Sequence, residues 1–206
     1  MKKAIGLLVL CFIIVPSVKA QNLFSAELQK SSSLIISGST NLLSFKLYQK
    51  GEKLSKNKLT VATTQSQNKI FISQNQLSVV VKNFDSNNCM ALKDFLKLLK
   101  SDIYPTLKVQ INYLDLQPIS EKEQFYKGNA MVSITITGVT RNYTIPICLN
   151  NNGDLHIVDG KKKLSIRDFG LTPETKMMGL IKVCEWIDID FHMIYKNSIN
   201  SDVAKL

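Results

Sequence analysis

Little in this sequence is built for chemistry. Its 206 residues hold two histidines and one tryptophan. There is no Gly-x-Ser-x-Gly, no His-Glu-x-x-His and no Walker pattern, so the local signatures of hydrolases, zincins and P-loop enzymes are missing. No two cysteines form a Cys-x-x-Cys, which removes the zinc ribbon and the thioredoxin-type redox motif. Cys89, Cys148 and Cys184 are an odd set. One disulfide with one thiol left over is open to them. Three separate, mostly buried thiols are the expectation, because a domain of this size needs no covalent staple. Acid is also scarce: 16 Asp and Glu stand against 26 Lys and Arg, a net charge of +10. The lysines are not interleaved with aromatics, which speaks against nucleic acid as a partner.

Long apolar runs are missing too, with one short exception at the start. Met1-Lys2-Lys3 is a positive lead. Ala4 to Val15 is apolar throughout, and Pro16-Ser17 breaks it before Val18-Lys19-Ala20. Twelve residues fall short of the ~20 that a helix needs to cross a bilayer. Lipoprotein processing at Cys11 would want a small residue before it, and Leu10 stands there. The layout is that of a cleavable secretory signal over residues 1–20, cut after Ala20. The expected mature chain, 21–206, is one domain, exported and soluble. Losing Lys2, Lys3 and Lys19 takes three charges from the +10 and leaves +7.

What is present is a period of two. Leu43, Phe45 and Leu47 alternate with polar residues. The same spacing of apolar residues recurs at Leu77, Val79 and Val81; Leu107, Val109, Ile111 and Tyr113; Val132, Ile134 and Ile136; Tyr143, Ile145 and Ile147; and Val183, Ile187, Ile189, Phe191 and Met193. Each run has one apolar face, as a half-buried strand requires. Gly138-Val139-Thr140-Arg141 and Asn150 to Asp154 supply turns between them. Short strands at this spacing make an all-β sandwich or barrel, and alternation alone does not choose between the two.

One segment has a helical period. From Cys89 to Lys100, Leu92, Phe95, Leu96 and Leu99 form a stripe, Lys93, Lys97 and Lys100 lie elsewhere, and Asn87 or Asn88 can cap the start. It reads as a lid on one barrel end, or as a cationic face for peripheral contact with anionic lipid. Asp188, Asp190 and His192 share one strand face. They are the best candidates for an acid–base or metal cluster, and the plainer reading is a solvated outer face. Lys161-Lys162-Lys163 reads as solvated beside a turn. The ends, Gln21 to Lys30 and Lys196 to Leu206, look loosely held.

Two stretches resemble the YceI-like family of bacterial periplasmic proteins. The first is Leu77-Ser-Val-Val-Val-Lys-Asn-Phe-Asp-Ser, then Met90-Ala-Leu-Lys-Asp-Phe-Leu, then Leu99-Lys-Ser-Asp-Ile-Tyr-Pro-Thr-Leu-Lys108. The second runs from Gly128 through Gly138-Val-Thr-Arg141 and Gly153-Asp-Leu to Ile166-Arg-Asp-Phe-Gly-Leu-Thr-Pro173 and Met178-Gly-Leu-Ile-Lys-Val183. Ser37 to Phe45 matches the family's opening more weakly. An Asp-x-x-His-Ser run is absent, and Glu174 stands where many members have a second proline. The resemblance implies an extended antiparallel β-barrel of about eight strands, lipocalin-like, with one short helix. It implies an internal pocket for an isoprenoid or fatty-acyl amphiphile. The inward residues Phe45, Val79, Val109, Ile111, Tyr113, Ile134, Ile136, Ile145, Ile187, Ile189 and Phe191 would line it. It carries over no catalytic residue, cofactor or metal. A barrel with a filled core, serving as a protein-interaction module, and an enzyme of unknown type are the alternatives.

Overall fold

The computed structural model describes residues 22–54, 58–66, 69–119 and 124–198. The expected export signal lies outside them. The strands are β1 (Asn22–Leu28), β2 (Ser33–Ser39), β3 (Ser44–Lys50), β4 (Lys58–Ser66), β5 (Lys69–Ser73), β6 (Leu77–Val80), β7 (Thr106–Pro118), β8 (Phe125–Ile136), β9 (Val139–Asn152), β10 (Leu155–Ser165), β11 (Thr175–Lys176), β12 (Ile181–Lys182) and β13 (Trp186–Ser198). A single-turn helix α1 (Gly51–Leu54) follows β3, and α2 (Cys89–Leu98) lies between β6 and β7.

Every ladder is antiparallel, and three of the staves are broken strands. β1 and β2 pair with the same edge of β13, at Tyr195–Ser198 and Asp188–His192 respectively. β3 pairs with β2 and β4 with β1, interrupted by α1. β5 and β6 both pair with β7. Counted this way the wall has eight staves, the number that the family resemblance implies. The pairings run β1–β4–β5–β7–β8–β9–β10–β13 and return to β1. The wall parts at the other end, where β3 and β6 share no ladder and one bridge, Tyr48 to Asp85, spans them. β11 and β12 form a separate small sheet in the connection from β10 to β13.

The breaks are stabilised by side chains that replace backbone. Asn75 is 4% exposed. Its amide donates to the carbonyls of Ile72 (3.0 Å) and Ile111 (2.7 Å), and its oxygen accepts from the Ile111 N–H (2.6 Å). Ser32 serves the β1–β2 break: its hydroxyl accepts from the Ile194 N–H at 3.0 Å. Buried backbone groups must be paired, so such substitutes are what permit the interruptions.

Local chemistry explains the other elements. The β8–β9 hairpin turns at Thr137 (φ 48°) and Gly138 (φ 82°), two positive φ values as a tight primed turn requires. Val139 to Arg141 already belong to β9, so the turn is shorter than the sequence suggests. Helix α2 is capped by Asn88, whose side chain accepts from the Ala91 N–H at 3.0 Å. Its apolar stripe packs on the core, with Phe95 meeting Phe84 edge-on at 5.2 Å.

Two expectations are corrected. The N-terminal segment is not loose: Asn22–Leu28 is a barrel strand, with Ala26 and Leu28 buried. The thiols are separate and unpaired, but Cys89 and Cys148 are exposed and only Cys184 is half-buried. Among the described residues no helix is long and apolar enough to cross a membrane.

Candidate functional site

The inward faces of the staves do not meet in the middle. They enclose a cavity of ≈ 330 Å³, within the ~300–1,000 Å³ range of small-molecule sites. Ten of the eleven residues expected on its wall are there: Phe45, Val79, Val109, Ile111, Ile134, Ile136, Ile145, Ile187, Ile189 and Phe191. Tyr113 is not. The β7–β8 register slips between Ile111 and Tyr113, so Asn112 is an extra residue and the alternation reverses. Leu114 takes the inward place. The Tyr113 ring instead lies 5.7 Å from Phe71, with the Lys69 ammonium 4.6 Å from its centre. Further lining comes from Leu34 and Ile36 of β2, Ala130 and Val132 of β8, and Met193 and Tyr195 of β13.

Two glycines set the width of this space. Gly160 pairs with Phe191 and Gly38 with Phe45. A Cβ at Gly160 would come within 2.4 Å of the Phe191 ring, and one at Gly38 within 2.5 Å of Phe45. Each ring therefore lies flat across a glycine on the neighbouring strand, which keeps two phenylalanines against the wall and out of the lumen.

The lining is apolar, with few exceptions. Tyr195 lines it, and burial pushes its phenol up to about 12, so it stays neutral. Lys162 is a correction to its reading as a solvated surface lysine. It pairs with inward Ile189, and β9 and β10 stop pairing beyond Ile147 and Gly160. Its stem lines the cavity while its ammonium donates to the freed Thr144 carbonyl at 3.0 Å. Gln49, beside Leu34 on the barrel wall, is 1% exposed, and its amide has no partner among the described residues.

Charge gathers at the mouth. There Asp94 of α2 pairs with Lys176, and Lys97 pairs with Glu174 at 3.2 Å. The β2–β3 turn closes another side: Asn41 Nδ2 donates to the Leu180 carbonyl (2.9 Å) and Asn41 Oδ1 accepts from the Lys182 N–H (2.9 Å). Phe95 and Leu98 of α2 and its C-cap Leu99 complete the wall, so the helix forms part of the mouth, as a lid would.

Asp188, Asp190 and His192 lie on the opposite, outer face. Opposite them on β10 stand Lys163, Lys161 and Asp159. Asp190 pairs with Lys161 at 2.7 Å, which raises the lysine's pKa, and His192 Nδ1 lies 2.6 Å from Asp159. This is a cross-strand charge ladder of the kind that stabilises sheets. No group of metal-ligating side chains occurs among the described residues. His156 is separate, bonded through Nδ1 to Asn151 (2.7 Å) and Nε2 to Asn197 (2.6 Å), and burial lowers its pKa.

Known proteins share this architecture. The sequence model of the YceI-like domain family matches residues 29–195. The polyisoprenoid binding domain from Saccharophagus degradans, implicated in plant cell wall breakdown, superposes with a TM-score of 0.57 at 9% identity, covering 84% of this chain and 98% of that one. Burkholderia cenocepacia BcnA superposes with a TM-score of 0.54 at 18% identity, covering 79% and 95%. No curated protein matches by sequence. At these identities the structural likeness concerns the fold.

Proposed function

Because this chain belongs to the YceI-like family, we propose that it is an exported carrier or reservoir that holds one apolar amphiphile, of isoprenoid or fatty-acyl type, inside its barrel. The observation that carries this reading is the apolar cavity itself. A core filled by side chains, as an interaction module would have, leaves no such space. The structural neighbour described as a polyisoprenoid binding domain supports the choice of ligand class.

The energetics permit it without a polar recognition motif. Burying apolar carbon contributes ~0.8 kcal/mol per CH₂, so a tail of roughly ten to fifteen carbons offers about 8–12 kcal/mol before the cost of immobilising it. The head group would sit near the charged mouth. In this reading the protein is not an enzyme, and Asp188, Asp190 and His192 serve the outer face of the sheet.

Titration with an isoprenoid quinone and a long-chain fatty acid tests the binding. Saturable uptake of at least one, at one molecule per barrel, is expected; saturable uptake of neither removes the proposal. Export has its own check. Protein recovered from the periplasmic fraction should begin at Gln21, and a mature chain that retains Met1 would contradict it.

A further inference from the structure

Seven large apolar side chains are 65% exposed or more among the described residues, and six of them surround the cavity mouth: Leu42, Leu43, Met90, Met177, Met178 and Leu180. The seventh, Ile103, lies just past α2. Leu42, Leu43 and Met90 also line the cavity, so this surface is continuous with the lumen. The three segments are tied together. Asn41 bonds the Leu180 carbonyl and the Lys182 backbone, Thr40 bridges Val183, and Lys176 pairs with Asp94 on α2. Met177 (φ 51°) and Met178 (φ 55°) hold the left-handed conformation that non-glycine residues seldom adopt, at the tip of the β11–β12 hairpin. Met178 touches almost nothing, being fully exposed.

The charge around this rim has one sign in excess. α2 with the turn after it, and the β11–β12 hairpin with its lead-in, bring Lys93, Lys97, Lys100, Lys176 and Lys182 against Asp94, Asp102 and Glu174. All three acids are already paired, Asp94 to Lys176, Glu174 to Lys97 and Asp102 to Lys82. Lys93, Lys100 and Lys182 make no ion pair with another described residue.

We infer that this rim is a membrane-docking surface: Leu42, Leu43, Met90, Met177, Met178 and Leu180 enter the outer part of an anionic bilayer, and the surrounding lysines face its phosphates. The apolar tips and the lumen then form one continuous path, so an amphiphile can pass between bilayer and barrel without crossing water. Apolar side chains fringed by lysine are what an interfacial surface requires, and each well-placed lysine strengthens attraction to anionic lipid about fivefold. A protein partner needs no such excess of one charge around an opening into an apolar lumen. The inference rests on the carrier reading, and its test separates the two.

Flotation with phosphatidylcholine vesicles, with and without phosphatidylglycerol, is the experiment. Wild-type protein should float with the anionic vesicles, less so as salt rises. Met177→Ser/Met178→Ser/Leu180→Ser should weaken that association about tenfold or more, while still binding quinone or fatty acid added in solution. Lys93→Glu/Lys182→Glu should weaken it on anionic vesicles only. Ile119→Ser/Phe125→Ser, at the far end of β7 and β8, should float as wild type does. A Leu180→Trp variant in a Trp186→Phe background should shift to shorter emission wavelength on anionic vesicles. Wild-type protein that stays in solution, equal flotation of the serine triple variant, or self-association through the patch without flotation would each overturn the inference. Loss of ligand binding by the wild type would instead strike the carrier reading and leave docking intact.

Discussion

Ala130→Phe is expected to lower affinity for a long-tailed amphiphile by two to three orders of magnitude while leaving the barrel folded. Ala130 is 4% exposed, lies on β8 between Leu114 and Ile145, and lines the cavity. A phenyl ring there projects into empty space rather than into a packed core. It should displace about four or five methylenes of the tail, each contributing ~0.8 kcal/mol, or about 3–4 kcal/mol in all. Filling a void also adds packing contacts, so the melting temperature should hold or rise. Thermal unfolding and ligand titration on the same sample separate the two effects. Unchanged affinity with a folded barrel would show that the tail does not reach this part of the lumen. A filled-core interaction module predicts the reverse pattern, with Ala130→Phe overpacked and destabilised.

The second large effect concerns stability. Asn75→Ala should cost about 2–4 kcal/mol, a fall in melting temperature of roughly 4–16 °C. The variant removes three hydrogen bonds and leaves the Ile111 N–H and carbonyl unpaired beside β7. No neighbouring strand is there to replace them, because β5 ends at Ser73 and β6 begins at Leu77. A loss below about 1 kcal/mol would mean that water serves these groups and that the asparagine only fills the gap.

The contrast between these two positions shows what a sequence makes readable. Where a strand keeps its period of two its inward positions are readable, and ten of the residues that the family resemblance implies as lining reach the lumen. Where a stave is broken, the pattern breaks too. Asn75, Ser32 and α1 interrupt the alternation, so β1, β2, β4 and β5 are faint in the sequence although they complete the wall. Tyr113 fails for a related reason. One extra residue, Asn112, reverses every face beyond it, and no local composition marks a bulge. Lys162 follows the period faithfully, but its charge hides it: the alternation places it inward, and lysine suggests water. The separation of β9 from β10, which gives its ammonium a carbonyl to bind, is a tertiary feature. The exposed rim is legible in the sequence only as apolar residues scattered over two turns and the start of α2. Leu42, Met90 and Met178 are far apart in the chain, and the fold alone brings them together.

The reading as a whole turns on whether the lumen is occupied. The direct measurement is a native mass spectrum of protein purified without detergent from the cells that produce it. One bound amphiphile per chain is predicted, seen as a discrete excess over the sequence mass, released by organic solvent and absent from Ala130→Phe. A bare mass in every preparation, unchanged after incubation with isoprenoid quinone or fatty acid, would contradict the account.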